Sequence, residues 1–125
     1  MANRQEKRVL VYIRIKRIIK RIIKKIIKSI EDKKGIDLKI LDVSKLTWIC
    51  DYFIISSGET TIQTKAIAEN ILEKIETRPI SIEGFEEGKW ILIDYGEIII
   101  HIFLPETRDY YNLDKLWGDA EIINV

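Results

Sequence analysis

The sequence predicts a single α/β domain, in which a mixed sheet of four or five strands carries helices mainly on one face. The first observation behind this prediction is composition, because 125 residues that are 46% hydrophobic and 33% charged are typical of one globular domain. The second is the order of the segments. Stretches with helical periodicity alternate with short, isoleucine-rich apolar stretches, without an internal repeat or linker, and this order favours helices packed on a sheet.

The first helix is predicted over residues 7–34, where isoleucines recur at steps of three and four residues. These apolar positions are Ile15, Ile18, Ile19, Ile22, Ile23, Ile26, Ile27 and Ile30. Basic residues occupy the other side of the helix, namely Arg17, Lys20, Arg21, Lys24, Lys25 and Lys28. Residues 8–16 also alternate as a strand does, so a later helix start is the alternative. Gly35 ends the helix.

A second amphipathic helix is predicted over residues 60–76, with Thr60 or Thr61 as its N-cap. Its apolar stripe consists of Ile67, Ile71 and Ile75. The predicted strands are residues 37–43, residues 51–58, a weaker strand at 79–84 and the two arms of a hairpin at 89–103. Pro105 begins a short third helix that ends near Leu113, and a tail anchored by Trp117 follows.

Nearly every position in the two strands of the hairpin is apolar, whereas a sheet with one solvated face normally alternates apolar and polar residues. A turn centred on Tyr95 and Gly96 pairs Asp94 with Glu97, and it also pairs Leu92 with Ile99 and Trp90 with His101. A bulge at Gly96 is the alternative, and it shifts this pairing by one residue. In either case one face is purely aliphatic, with Ile91, Ile93, Ile98, Ile100 and Ile102.

The other face of the hairpin is mixed, and two interpretations of it stay open. It carries an indole, an imidazole and two aliphatic side chains, with carboxylates at the tip. A mixed face with a tryptophan is typical of protein interfaces. Burial beneath the N-terminal helix is the alternative, because an apolar strand pair is usually central in its sheet.

The charge is divided unevenly along the chain. Residues 1–34 contain 13 basic and 3 acidic residues, a balance of +10, whereas residues 35–125 contain 8 basic and 17 acidic residues, a balance of −9. A basic arm on an acidic body suggests two kinds of partner. The basic helix can pack its isoleucines on the sheet, lie on an anionic membrane or contact nucleic-acid phosphates, and packing is favoured. No apolar run is long enough to span a bilayer.

The sequence offers little for catalysis. One cysteine, Cys50, excludes an intramolecular disulfide and a cysteine cluster for zinc, and a reducing cytoplasmic location fits. Cys50 and His101 could in principle act as a catalytic nucleophile and base. One cysteine and one histidine in a chain are expected by chance, so their presence is no evidence for such a pair. Asp94 and Glu97 lack a third metal ligand nearby. Residues 56–61, "SSGETT", lack the spacing and lysine of a phosphate-binding loop, so a turn and N-cap are favoured. We therefore expect no enzyme activity and no cofactor.

Five stretches in this order and spacing make the chain from Lys25 to Ala120 resemble the ribosomal silencing factor family (RsfS, also called Iojap-like). They are "SIEDKKGIDLKILDVS", "DYFIISSG", "IAENI", "EGFEEGKWILIDYGEIIIHIF" and "RDYYNLDKLWGDA". The resemblance implies a nucleotidyltransferase-like fold without the catalytic pattern, because "SSG" is followed by no Asp-x-Asp pair. It implies a translation repressor that binds the large ribosomal subunit through ribosomal protein fourteen and blocks joining of the small subunit. Large-subunit assembly and nucleotide binding by a degenerate nucleotidyltransferase are the alternatives.

The resemblance also implies which residues contact the partner. They are Trp90, Leu92, Asp94 and Tyr95, with Lys89, Glu97 and His101 as neighbours. Residues 1–24 form a basic extension continuous with the first helix, and residues 25–125 form the RsfS-like domain. The extension is a candidate for contact with ribosomal RNA rather than with a membrane. An exposed hairpin face also allows a homodimer.

Overall fold

A computed structural model describes residues 2–124 and contains four helices and one six-stranded sheet. The helices are α1 (Arg4–Asp32), α2 (Thr61–Lys74), α3 (Pro105–Tyr111) and α4 (Leu113–Leu116). The strands are β1 (Ile36–Asp42), β2 (Tyr52–Ser57), β3 (Ser81–Glu83), β4 (Trp90–Asp94), β5 (Ile98–Phe103) and β6 (Glu121–Ile122). Their order in the sheet is β3-β4-β5-β2-β1-β6, and β2 and β5 run parallel while the other neighbours are antiparallel.

The mixed α/β sheet in a single domain is confirmed, but the predicted count of four or five strands is wrong. The sixth strand, β6, consists of two residues in the predicted tail, where Ile122 pairs with Leu41 and Glu121 with Asp42. Two residues are too few to produce an alternating pattern in a sequence. The strand exists because the end of the chain returns to the free edge of β1.

Helix α1 begins at Arg4, earlier than either predicted start, and it continues without a break to Asp32. The Asn3 side chain caps it by accepting a hydrogen bond from the Glu6 amide at 2.8 Å. Burial begins only at Ile19, so most of the first fifteen residues of the helix project beyond the body. Lys16 is the exception, because its Nζ lies 5.6 Å from the centroid of the Tyr52 ring. Among residues 2–124 no helix combines the length and the apolarity needed to cross a bilayer.

Helices α1 and α2 cover one face of the sheet, as predicted. Isoleucines of both helices pack on the aliphatic face of the hairpin to form the larger of two cores. The Asn70 side-chain amide of α2 donates to the Ser29 carbonyl of α1 at 2.9 Å, and this buried hydrogen bond fixes one helix against the other. Thr60 is the N-cap of α2, and its hydroxyl accepts from the Gln63 amide.

The hairpin between β4 and β5 has the predicted faces but a different register. Its turn is centred on Gly96 and Glu97, and the Tyr95 amide donates to the Ile98 carbonyl at 2.9 Å. Gly96 has a φ of 92°, which glycine adopts readily at the first central position of a two-residue turn. Moving the turn centre by one residue moves every cross-strand pair by two. The observed pairs are Trp90 with Phe103, Leu92 with His101 and Asp94 with Ile99.

The opposite face of the sheet carries a second, smaller core that the C-terminal segment, residues 105–120, covers in part. Leu113, Trp117 and Ala120 pack against it, and the Trp117 ring meets Phe53 edge-on at 5.1 Å. The prediction that helices lie mainly on one face therefore holds for α1 and α2 alone. The chain's own C-terminal segment shields the β1 and β2 side of this face, whereas the β3 and β4 side is left more open.

Candidate docking surface

Trp90 lies on this second face at the start of β4, and it is half-buried. Its ring stacks on the Phe103 ring with 4.9 Å between the ring centroids. The ring of Tyr111, in α3, lies at the same centroid distance from the indole. The indole Nε1 donates a hydrogen bond to His101 Nδ1 at 3.1 Å. The indole is therefore held in a single orientation with its polar atom satisfied inside the protein. What it offers a partner is the accessible part of an aromatic surface.

His101 lies beneath this surface and supports Trp90, because it is only 4% exposed. Burial lowers the pKa of His101 to about 4, so the imidazole is neutral at pH 7. Its Nδ1 accepts from Trp90, which places the proton on Nε2. Phe53 meets the imidazole edge-on at 5.0 Å. The resemblance named His101 as a neighbour of the partner, and the structure places it under Trp90 rather than at the surface.

The remaining residues named for the site are spread along the hairpin: Lys89 precedes β4, Leu92 and Asp94 follow Trp90 along β4, and Glu97 lies in the turn. Leu92 and Asp94 are half-buried, whereas Lys89 and Glu97 are exposed. The Asp94 carboxylate accepts from the Gly96 amide at 2.8 Å and so stabilises the hairpin turn. Glu83 on β3 pairs with Leu92, so a third carboxylate lies beside the face that carries Trp90 and Leu92.

Tyr95 lies on the other side of the sheet from Trp90. Its ring packs against the core beneath the helices, and burial raises the pKa of its hydroxyl. The hydroxyl oxygen is buried and has no hydrogen-bond partner among residues 2–124. Tyr95 therefore supports the hairpin turn from the helix side and does not share a face with Trp90, Leu92 and Asp94.

A second apolar surface, which the sequence did not reveal, lies in the loop between β1 and β2. In this loop Leu46 and Ile49 are exposed, and Trp48 is fully exposed. Backbone hydrogen bonds from Asp51 and the following residue to the Glu97 carbonyl, at 2.9 and 3.0 Å, tie the end of the loop to the hairpin turn. The loop therefore lies beside the tip of the hairpin, at the opposite end of β4 from Trp90. The one feature of the sequence that could have indicated this surface is the presence of several apolar residues in a predicted loop.

The groups considered for chemistry have structural roles. Burial, with added repulsion from Asp51 and Asp94, raises the pKa of Cys50 to about 11, so the thiol stays protonated. Ser56 and Ser57 are buried, and their hydroxyls bind the Ile36 carbonyl and the Arg108 guanidinium. In the part of the chain that the structure describes, no three His, Cys, Asp or Glu side chains are grouped to hold a metal.

Comparison with known proteins decides the family. The family described as "Ribosomal silencing factor during starvation" matches residues 16–125 of the chain. The chain belongs to the RsfS family. Its match starts nine residues before the predicted boundary between extension and domain, so residues 1–15 lie outside the family pattern.

The RsfS relatives are similar over most of the chain. The ribosomal silencing factor RsfS of Bacillus subtilis is 38% identical over 98 residues, which are 76% of this chain and 83% of that protein. A crystal structure of a Chromobacterium violaceum protein superimposes with a TM-score of 0.75 at 38% identity, covering 79% of this chain and 85% of that one. Mouse "mitochondrial assembly of ribosomal large subunit protein 1" is 34% identical over 87 residues, 65% of this chain and 38% of that protein.

Proposed function

We propose that this RsfS-family chain is a translation repressor that acts in the cytoplasm by occupying a surface, without catalysis. It binds the large ribosomal subunit through ribosomal protein fourteen and thereby blocks joining of the small subunit. The observation that carries the proposal is a half-buried tryptophan, fixed from beneath by His101 and Phe103, on a sheet face that the chain's own elements cover only in part.

The chemistry of this surface suits a protein partner. Interface hot spots are commonly aromatic residues that lose little conformational freedom on binding. Trp90 meets this condition because its neighbours already hold it in one orientation. The rim of this face is mainly acidic: Glu83 pairs with Leu92, whereas Asp94 and Glu97 lie at the turn end of the hairpin, about 13 Å or more along the strand from Trp90. The cation Lys89 precedes Trp90. A basic ribosomal protein would be attracted to such a rim, which raises the association rate more than the final affinity.

The direct test is sedimentation with separated ribosomal subunits. We expect the wild-type chain to migrate with the large subunit alone. The Trp90→Ala variant should bind about 30-fold more weakly, which corresponds to the loss of about 2 kcal/mol at an interface hot spot. A thermal unfolding curve must accompany it, because Trp90 also packs on Phe103. Equal retention of folded Trp90→Ala and wild type would show that the surface is assigned wrongly.

Trp48 allows a test that folding does not complicate. Its side chain is fully exposed, so Trp48→Ser should leave the melting temperature unchanged. If the loop extends the docking surface, the variant should bind large subunits about tenfold more weakly. Ile62→Ser is the matched control, since Ile62 is 81% exposed on α2, the helix that packs on the other face of the sheet. If both variants bind as wild type does, docking is confined to the hairpin.

A role in large-subunit assembly is the second candidate, and the name of the mouse relative favours it. Assembly and silencing can use the same docking surface. They differ in outcome: a deletion strain with an assembly defect accumulates large-subunit precursors, whereas loss of silencing leaves mature subunits that join freely during starvation. Sucrose-gradient profiles of starved and growing cells distinguish the two.

Nucleotide binding at residues 56–61, on a nucleotidyltransferase-like fold, has less support. The hydroxyls of Ser56 and Ser57 are buried and engaged, and the first turn of α2 is capped by Thr60. A homodimer formed through the exposed apolar face stays a prediction. Sedimentation equilibrium of the free chain, with and without Trp48→Ser, measures it.

A further inference from the structure

Five basic residues form a straight stripe along the exposed side of α1. They recur at alternating steps of three and four residues, the spacing that keeps side chains on one face of a helix. The stripe consists of Arg14, Arg17, Arg21, Lys24 and Lys28, and all five are exposed. Over these fifteen residues it is roughly 21 Å long, at about 1.5 Å of rise per residue.

The stripe points away from the body of the protein. The buried positions of α1 include Ile19, Ile23, Ile26 and Ile30. At about 100° per residue, the centre of the stripe lies about half a turn around the helix from the centre of these isoleucines. Packing of the helix on the core therefore fixes the direction in which the five cations face. They form a rigid, outward-facing row rather than a flexible basic tail.

Few acidic side chains neutralise the positive charge of this row. Between Lys7 and Ile30 there is no acidic residue. Lys28 pairs with Asp32 at 3.3 Å at the end of the stripe. Glu76 lines a groove with Arg21, yet the two form no ion pair within 4 Å among residues 2–124. Like charges three and four residues apart destabilise a helix, and a bound polyanion would relieve that repulsion.

We propose that the stripe of Arg14, Arg17, Arg21, Lys24 and Lys28 binds the phosphate backbone of RNA. The chemistry is that of a row of point charges and guanidinium groups facing successive phosphates, without base recognition. The choice of RNA as the polyanion rests on the proposed function, because large-subunit RNA surrounds any protein docked on that subunit. The stripe then provides a second contact that holds the docked domain in one orientation.

An anionic membrane fits the stripe less well than RNA. A helix that lies on a membrane inserts an apolar face and keeps its cations at the rim. From Ile19 onwards the apolar face is already occupied by the core, and beside the first part of the stripe two apolar residues, Ile15 and Ile18, are exposed. The exposed apolar residues Val9–Ile13 lie beyond the stripe, at the free end of the helix. Membrane binding is therefore an outcome that the test must separate.

The test uses the full chain and a labelled 20-base-pair RNA duplex of arbitrary sequence, with binding measured by fluorescence anisotropy between 50 and 200 mM salt. The first variant is the triple substitution Arg17→Gln, Arg21→Gln, Lys24→Gln, which retains good helix formers. The matched control is Lys45→Gln, Lys74→Gln, Lys115→Gln, which removes the same charge from exposed positions elsewhere. Circular dichroism verifies that both variants keep their helix content.

We expect the stripe variant to bind the duplex at least tenfold more weakly at about 50 mM salt, and its salt slope to fall by about two to three. The control should stay within about twofold of wild type. Equal losses in both variants would mean that net charge alone drives binding, and this result overturns the proposal. So does tight binding of wild type to phosphatidylserine vesicles without binding to the duplex.

The same variants separate this inference from docking by the hairpin. Trp90→Ala should bind the RNA duplex as wild type does and lose affinity for large subunits. The stripe variant should lose the duplex and keep its affinity for isolated ribosomal protein fourteen. If the stripe variant binds the duplex normally while Trp90→Ala loses the subunit, the RNA inference fails and the proposed function stands.

Discussion

Replacing Arg108 with alanine is expected to lower the free energy of unfolding by about 3 kcal/mol, the loss typical of breaking a buried ion pair. Arg108 is 9% exposed, and its guanidinium donates to both oxygens of Asp114 at 3.1 and 3.0 Å. It also donates to the Asp37 carbonyl at 2.7 Å and to the Ser57 hydroxyl at 3.0 Å. One side chain therefore ties the C-terminal segment to the ends of β1 and β2.

The loss of unfolding free energy should lie at the lower end of the range for broken buried ion pairs, because Asp114 keeps a second partner. Lys39 Nζ lies 3.1 Å from its carboxylate. Hydrogen bonds from Arg108, with help from Lys39, lower the pKa of Asp114 to about 2. Asp114 thus stays ionised after the substitution, and one of its two cations is gone. The Ser57 hydroxyl also loses its donor in a buried position, which adds to the cost.

Urea unfolding at pH 7 measures the effect. Arg78→Ala is the control, because Arg78 is exposed and outside this network, and it should change stability by less than about 0.5 kcal/mol. Arg108→Lys should recover little, since an ammonium group cannot reproduce the two-pronged contact. A loss below about 1 kcal/mol for Arg108→Ala would show that the network does not hold the segment in place.

This network also affects the candidate docking surface. The C-terminal segment that Arg108 anchors carries Tyr111 against Trp90 and Trp117 against Phe53. If the segment detaches, the second core is exposed and the indole loses one of its neighbours. The Arg108→Ala variant should therefore bind large subunits more weakly even where it is still folded.

The faces of the hairpin could be predicted from the sequence, but its register could not. Alternation along each strand placed the isoleucines of β4 and β5 together on one side, and this set is confirmed. Register depends on which residues form the turn, and both Tyr95-Gly96 and Gly96-Glu97 have a glycine available. The second choice puts Gly96 at the first central position with positive φ and closes the turn between Tyr95 and Ile98.

For the candidate site, too, one part could be predicted from the sequence and another part could not. That Trp90 and Leu92 share one face could be predicted, because the hairpin motif and strand alternation agree on them. Alternation also places Tyr95 opposite Asp94, so the resemblance grouped residues that a pleated strand separates. The burial of His101 depends on Phe53 and on the returning C-terminal segment, which are distant in sequence. Trp48 was missed because residues in an irregular loop have no periodicity that could show their exposure.

Acidification from pH 7 to pH 4 is expected to remove roughly 3 kcal/mol of stability through His101 alone. Burial lowers the pKa of this imidazole from 6.5 to about 4 in the folded chain. Between these two values the unfolded chain binds a proton at His101 and the folded chain does not. Stability therefore rises with pH in this window, and it is lost as the pH falls through 6.5 towards 4.

The window from pH 7 to pH 5 isolates the effect, because His101 is the chain's single histidine and carboxylates titrate mainly below it. Urea unfolding should show a loss of about 2 kcal/mol between these two pH values. His101→Asn keeps an acceptor for Trp90 and removes the titrating group, so its stability should be nearly flat over the same range. A wild-type curve that is equally flat would contradict the burial of a neutral imidazole.

The same titration connects the core to the candidate docking surface. A protonated His101 carries a hydrogen on Nδ1, and the Trp90 Nε1–H that now donates to this atom would face a second donor. The indole then loses its buried acceptor, and the orientation that makes it a preformed anchor is no longer favoured. Because the pKa of His101 in the folded chain is about 4, this change sets in only below pH 5. Binding of wild type to large subunits should therefore stay nearly constant between pH 7 and pH 5. It should weaken as the pH falls from 5 towards 4, more than binding of His101→Asn, whose amide oxygen accepts at every pH.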